Sequence, residues 1–175
     1  MSDKTEEAIQ KSTDYYNSSD TDTYYRKIWG GESIHVGIFD EPGIGIREAA
    51  RRAVTYIAGR LDTLSSDSTV IDLGAGFGGP IRQLVTDYSC SGIALNASAL
   101  ELEAMAKTNA AEGLAGKITP LEGNYEDIPM EDAQVDIAWS QEAFLHCGDR
   151  AQLMREVFRI LKPGGLMLHV EQPPF

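Results

Sequence analysis

The sequence predicts an α/β fold: a Rossmann-like parallel sheet with helices on both faces, preceded by an N-terminal helical and aromatic cap. Three observations carry this. Short apolar runs at 70–73, 90–95, 118–121, 135–140 and 166–171 alternate with stretches of helical periodicity. The first run ends abruptly in Gly74-Ala75-Gly76-Phe77-Gly78-Gly79, a turn that lets backbone approach a ligand because no Cβ intervenes. Pro80 then suits the first turn of a helix, whose free amides face the same crevice.

Taken in order, residues 1 to 23 are polar, with one short helix expected around 6–15. Tyr24, Tyr25, Ile28, Trp29, Ile34, Val36, Ile38 and Phe39 follow among glycines, which reads as an aromatic loop. Ile46, Ala49, Ala50, Ala53, Val54, Ile57, Ala58 and Leu61 recur at helical spacing, with Arg47, Glu48, Arg51 and Arg52 on the other face. Residues 1–45 are accordingly a cap segment and 46–175 the core. After the glycine turn, 81–87 continue as a helix. Ser98-Ala99-Leu100-Glu101 has the capping-box pattern that opens another, with Gly113 as its stop. Asp149 opens the last helix, with Leu153, Val157, Ile160 and Leu161 facing inward. Lys162-Pro163-Gly164-Gly165 breaks it and turns the chain into the final strand.

Composition narrows the function. The 175 residues carry 15 Lys and Arg against 27 Asp and Glu, a formal net charge of −12. No basic stripe exists to neutralise phosphates, so neither a nucleic acid nor an anionic membrane is an expected partner. Cys90 and Cys147 lack metal-ligand spacing, which argues for a reduced compartment and no metal site. No apolar run approaches membrane-spanning length, and the opening residues lack a signal peptide's basic and apolar regions, so a cytoplasmic location is expected.

Ligands of such sheets bind outside the carboxyl ends of the strands, at the switch in strand order. Glycine-rich turns there serve several nucleotide cofactors. Asp72 discriminates among them: a carboxylate two residues before Gly74 repels a pyrophosphate at close range but suits a ligand carrying an ammonium group. The strand-2 exit offers Asn96, able to donate and accept at a ribose edge, where a nicotinamide-dependent dehydrogenase carries an acid.

The run Asp72-Leu73-Gly74-Ala75-Gly76-Phe77-Gly78-Gly79 resembles motif I of the class I S-adenosylmethionine-dependent methyltransferases. Gly123-Asn124-Tyr125-Glu126-Asp127-Ile128-Pro129 resembles their segment after strand 3, with Asn124 in the place of an acid, and Leu161-Lys162-Pro163-Gly164-Gly165 is a further landmark. Two more segments, Trp29-Gly30-Gly31-Glu32-Ser33-Ile34-His35-Val36-Gly37 and Trp139-Ser140-Gln141-Glu142-Ala143-Phe144-Leu145-His146, resemble the sarcosine/dimethylglycine N-methyltransferases of glycine betaine synthesis. Related segments occur in methyltransferases acting on sterols, tocopherols and phosphoethanolamine. The resemblance implies S-adenosyl-L-methionine as cofactor, held by Asp72, Gly74, Ala75, Gly76, Asn96, Asn124, Tyr125 and Ser140. It implies a small amine as acceptor, with Tyr24, Trp29, His35, Gln141 and His146 as the catalytic candidates. Class I enzymes add two strands beyond strand 5 that form an antiparallel edge. The sequence has no counterpart of them, so a fragment of a longer enzyme is expected, with an open sheet edge through which copies could associate; the alternatives are a methyltransferase for another small acceptor of the sterol, tocopherol or phosphoethanolamine type, or a truncated cofactor-binding module without turnover.

Overall fold

The computed structural model describes residues 33–171; the expected helix at 6–15, Tyr24 and Trp29 lie outside them. The elements run α1 (Ile46–Ala58), β1 (Thr69–Leu73), α2 (Gly79–Tyr88), β2 (Ser91–Asn96), α3 (Ala99–Ala111), β3 (Ile118–Glu122), β4 (Val135–Gln141), a 3-10 turn (Phe144–His146), α4 (Arg150–Ile160) and β5 (Leu161–Val170). The five strands form one sheet in the order β3-β2-β1-β4-β5, with every pairing parallel.

Alternation along the strands explains why both faces are covered. On β1, Val70 faces α1, α2 and α3, joining Val54, Ile57, Leu84, Met105 and, from β4, Ile137 and Trp139. Its neighbours Ile71 and Leu73 face the other way, onto Leu153, Val157 and Ile160 of α4. A strand apolar on both sides belongs in the interior of a parallel sheet. The expected caps also form: the Ser98 hydroxyl accepts the Glu101 amide, and the Asp149 carboxylate accepts the Gln152 amide.

One boundary departs from expectation. The Lys162–Gly165 stretch does not merely turn the chain; pairing starts at Leu161 opposite Val135 and resumes at Leu166 opposite Ile137. A register shift between Val135 and Ile137, with Gly164 at φ 83°, absorbs the extra residues as an irregularity inside β5. Strand β5 forms one margin of the sheet, where Leu166 is 40% exposed.

The switch in strand order lies between β1 and β4, so the crevice opens where Leu73 and Gln141 end their strands. At the opposite end of the sheet, the Asp136 carboxylate accepts the Thr69 amide and the Lys162 ammonium, each at 2.8 Å, fastening the starts of β1 and β5 to β4. Asp136→Ala should therefore destabilise the fold by about 1–3 kcal/mol, read by urea titration, while leaving ligand affinity at the far crevice unchanged, read by calorimetry.

Candidate active site

Asp72, on β1, is registered against Trp139 of β4, two residues before Gln141. All three side chains therefore lie on the α1–α3 side of the sheet. Asp72 is 3% exposed, and its Oδ2 has no hydrogen-bond partner. Burial pushes this carboxyl up to about 7. A carboxylate so placed is stabilised by an arriving cation, in keeping with the ammonium end of S-adenosylmethionine.

The glycine turn does two jobs. Gly74, at φ 87°, places its own N–H and that of Ala75 on the Leu95 carbonyl, each at 3.0 Å. Those two amides join β1 to β2 and do not face the crevice. A Cβ on Gly74 would collide with Ala143 at 2.6 Å, so this glycine is required by packing. Gly76, at φ 51°, has nothing within 4 Å of the same position. The residues present thus fit the expected cofactor: Gly76 faces open space, and the strand that leads into the turn carries the unpartnered Asp72 oxygen. Ser140 is fully buried and its hydroxyl lies 3.4 Å from the Leu73 carbonyl, which gives it a bracing place beneath the turn.

On the ribose side, Asn96 is engaged within the protein. Its Nδ2 donates to Glu101 Oε2 at 2.7 Å and its Oδ1 accepts the Ala97 amide at 3.0 Å. Glu101, read from the sequence as a cap residue, is buried beside it. Asn124 likewise uses its side-chain oxygen locally, accepting the Glu126 amide at 3.0 Å. Tyr125 packs edge-on against Phe144 with centroids 5.4 Å apart, and its hydroxyl lies 3.4 Å from the Ala143 carbonyl.

The structure brings His35 and Gln141 together from opposite ends of the chain. The His35 imidazole donates to the Gln141 backbone carbonyl, leaving Nδ1 buried and unpartnered. Burial lowers its pKa to about 4, against the small opposing effect of that hydrogen bond. The ring is therefore neutral at physiological pH and presents a lone pair. Gln141 Oε1 is buried and unpartnered as well. The segment holding His35 is fixed by Glu142, whose carboxylate accepts the Val36 amide at 3.2 and 3.3 Å, and by the Ile38 amide on the Ala49 carbonyl. Glu142 itself sits at φ 53°, a left-handed conformation that a side chain adopts only at a cost of about 1–3 kcal/mol.

His146 ends the 3-10 turn that follows β4. Burial holds its imidazole below the ordinary value, opposed by the nearby Glu171 carboxylate. Glu171 also accepts the Phe144 amide at 2.6 Å, and Phe144 stacks on His169 with centroids 4.7 Å apart. Glu171 gives no signal of this positioning role in the sequence, whereas Glu142 reads there either as a supporting acid or as a solvated loop charge, and the Val36 amide it accepts favours the first. Among the described residues no cluster of three or more His, Cys, Asp or Glu side chains could hold a metal, and no helix is long and apolar enough to cross a membrane.

Asp72 generates a specific expectation. A ligand ammonium beside it should lower its pKa, so that S-adenosylhomocysteine binding near pH 7 releases about half a proton. Calorimetric heats should then differ between phosphate and Tris buffers in proportion to their ionisation enthalpies. Heats independent of buffer would mean that the ligand does not meet Asp72.

Comparison with known proteins agrees with this geometry. The family described as "Methyltransferase domain" matches residues 71–169. The glycine/sarcosine/dimethylglycine N-methyltransferase of Actinopolyspora halophila is 42% identical over 164 residues, covering 94% of this chain and 29% of its own length. The sarcosine/dimethylglycine N-methyltransferase of Halorhodospira halochloris is 40% identical over 160 residues, covering 91% and 57%. A Galdieria sulphuraria crystal structure, provisionally described as a sarcosine dimethylglycine methyltransferase, superposes with a TM-score of 0.80 at 40% identity, covering 85% of this chain and 58% of that one. The chain thus spans between about a third and three-fifths of these relatives. The matches bear out the expected Rossmann-like fold and S-adenosylmethionine as cofactor. With its glycine turn, buried acid and switch-point crevice in place, the chain belongs to the methyltransferase domain family.

Proposed function

We propose that this chain is the cofactor-binding part of an N-methyltransferase whose acceptors are sarcosine and dimethylglycine and whose final product is betaine. The observation that carries it is that three buried polar atoms, on Asp72, Gln141 and His35, lack partners: Asp72 and Gln141 stand near the ends of neighbouring strands, His35 bonds the Gln141 carbonyl, and the glycine turn after Asp72 is open at Gly76. Identities of 40–42% to enzymes named for these acceptors support the substrate class.

S-adenosylmethionine, when bound, supplies an electrophilic sulfonium methyl. What the chain's own residues do is hold and orient. Asp72 meets the ammonium end, Gly76 leaves room for the ligand, and Asn124 with Tyr125 takes the adenine side. The acceptor must present a neutral nitrogen in line, at roughly 3 Å from the methyl carbon, and such positioning can account for much of the rate. Desolvation in the crevice lowers the amine's pKa and so favours its neutral form. With a pKa near 4, His35 is a poor base at neutral pH and serves as a hydrogen-bond acceptor, alongside Gln141 Oε1, for the N–H of neutral sarcosine; neutral dimethylglycine has no N–H and is held by other contacts. His146, on the turn after β4 and with burial favouring its neutral form, is the candidate proton acceptor of the loop. The aromatic rings of Tyr24 and Trp29 suit a methylated ammonium product by chemistry, since cation–π attraction is worth about 1–2 kcal/mol when desolvated.

A radiolabelled methyl-transfer assay on this chain, and on a form extended to the length of its relatives, tests the reading. Sarcosine and dimethylglycine should both be methylated. His146→Ala and Gln141→Ala should each lower kcat/KM by about 10- to 100-fold while leaving the Kd of S-adenosylhomocysteine within about twofold. Activity on a sterol or phenol with none on either amine would overturn the acceptor assignment; cofactor binding without any transfer by the extended form would overturn the enzymatic one.

A further inference from the structure

The Glu126 carboxylate is 4% exposed, yet it points at backbone of another loop and not at solvent. Its Oε1 accepts the Gly148 amide at 2.7 Å and the Cys147 thiol at 3.4 Å, and its Oε2 accepts the Asp149 amide at 3.1 Å. These donors lie at the N-terminus of α4, where the helix dipole favours an anion. The link is doubled by Gln152, whose Nε2 donates to the Glu126 carbonyl at 3.2 Å. Glu126 is itself held by Asn124, which accepts its amide, and stands next to Tyr125, which packs on Phe144. One short segment therefore carries the expected adenine contacts on one side and grips the His146 loop on the other.

We propose that Glu126 is a positioning residue that couples cofactor binding to the loop following β4, so that occupation of the Asn124–Tyr125 side tightens the segment carrying Phe144 and His146. The proposal rests on the cofactor placement given under Proposed function. Physically, two backbone amides and a thiol converge on one buried anion, and each such charge-assisted bond is stronger than its neutral counterpart. Ordering the Glu126 backbone from the adenine side leaves less conformational entropy to be lost when the β4–α4 loop closes, which makes the two events cooperative.

Cys147 reports on this coupling without any assay of turnover. It is partly exposed, whereas Cys90 is buried and serves as an internal control. Burial and the Glu126 carboxylate push its thiol up to about 12, so labelling in the wild type is slow. Iodoacetamide labelling at a fixed, mildly alkaline pH, followed by peptide mass spectrometry, gives its rate with and without saturating S-adenosylhomocysteine. In the wild type the ligand should slow Cys147 labelling at least ~3-fold, as local opening becomes rarer. Glu126→Gln, which keeps the shape and one acceptor, should label ~10-fold faster without ligand and should lose the ligand's protection while still binding it.

A purely structural Glu126 would change the basal rate but leave the protection ratio intact. Retained protection in Glu126→Gln, or no protection in a wild type that demonstrably binds the ligand, overturns the coupling. Calorimetry on the same samples separates the two failures. Binding heat without protection refutes the coupling alone, whereas no binding heat in the wild type refutes the cofactor placement and the coupling with it. If Glu126→Gln fails to fold, Asn124→Ala releases the Glu126 amide from the other side and should reduce the protection ratio in the same direction; an unchanged ratio there overturns the proposal.

Discussion

A carboxylate buried at the end of the central strand, with an oxygen lacking any partner, is the constraint around which the site is organised. Asp72 departs from its ordinary value of 3.8 to about 7 through burial alone, a penalty of about 4 kcal/mol once it is ionised. The sign follows from proton counting. Between about pH 4 and pH 7 the folded state holds a proton that the unfolded chain has released, so this group erodes stability as pH rises through that window. His35 acts oppositely: its folded value lies near 4 and its ordinary one at 6.5, so stability is lost as pH falls between them. Both groups trade stability for a preformed polar crevice.

The rest of the structure holds that crevice in shape. Leu95 takes the amides of Gly74 and Ala75 and thereby fixes the turn beside Asp72. Ala143 closes against Gly74 from the β4 exit. Glu142 and Glu171 receive the amides of Val36 and Phe144 and so fix His35 and the 3-10 turn. Glu142 and Glu171 are carboxylates that look like surface charge in the sequence and accept backbone N–H groups brought near by the fold.

What could be read from sequence was what is local. The strand ending in glycines and the Ser98 and Asp149 caps are local patterns that the structure has where the sequence places them, and the helical face that the pattern runs from Ile46 to Leu61 forms as far as Ala58, where Gly59 caps it. The pairing of His35 with Gln141 joins residues more than a hundred positions apart, and no spacing rule reaches that far. Asn96 and Asn124 were legible as polar residues at strand exits, but not that Glu101 and the Glu126 amide would already engage them. The irregular start of β5 escaped for a related reason: the Pro and Gly residues signal a break, while pairing to β4 decides that the break lies inside a strand.

The central claim is that Asp72 meets the ammonium end of the methyl donor, and comparing two ligands on one substitution tests it most directly. S-adenosylhomocysteine carries the ammonium; 5′-methylthioadenosine keeps the adenosine and lacks it. Measured by calorimetry, Asp72→Asn should weaken the first by about 1–3 kcal/mol and the second far less. Equal losses for both ligands would contradict the claim and leave Asp72 as a residue that merely shapes the glycine turn.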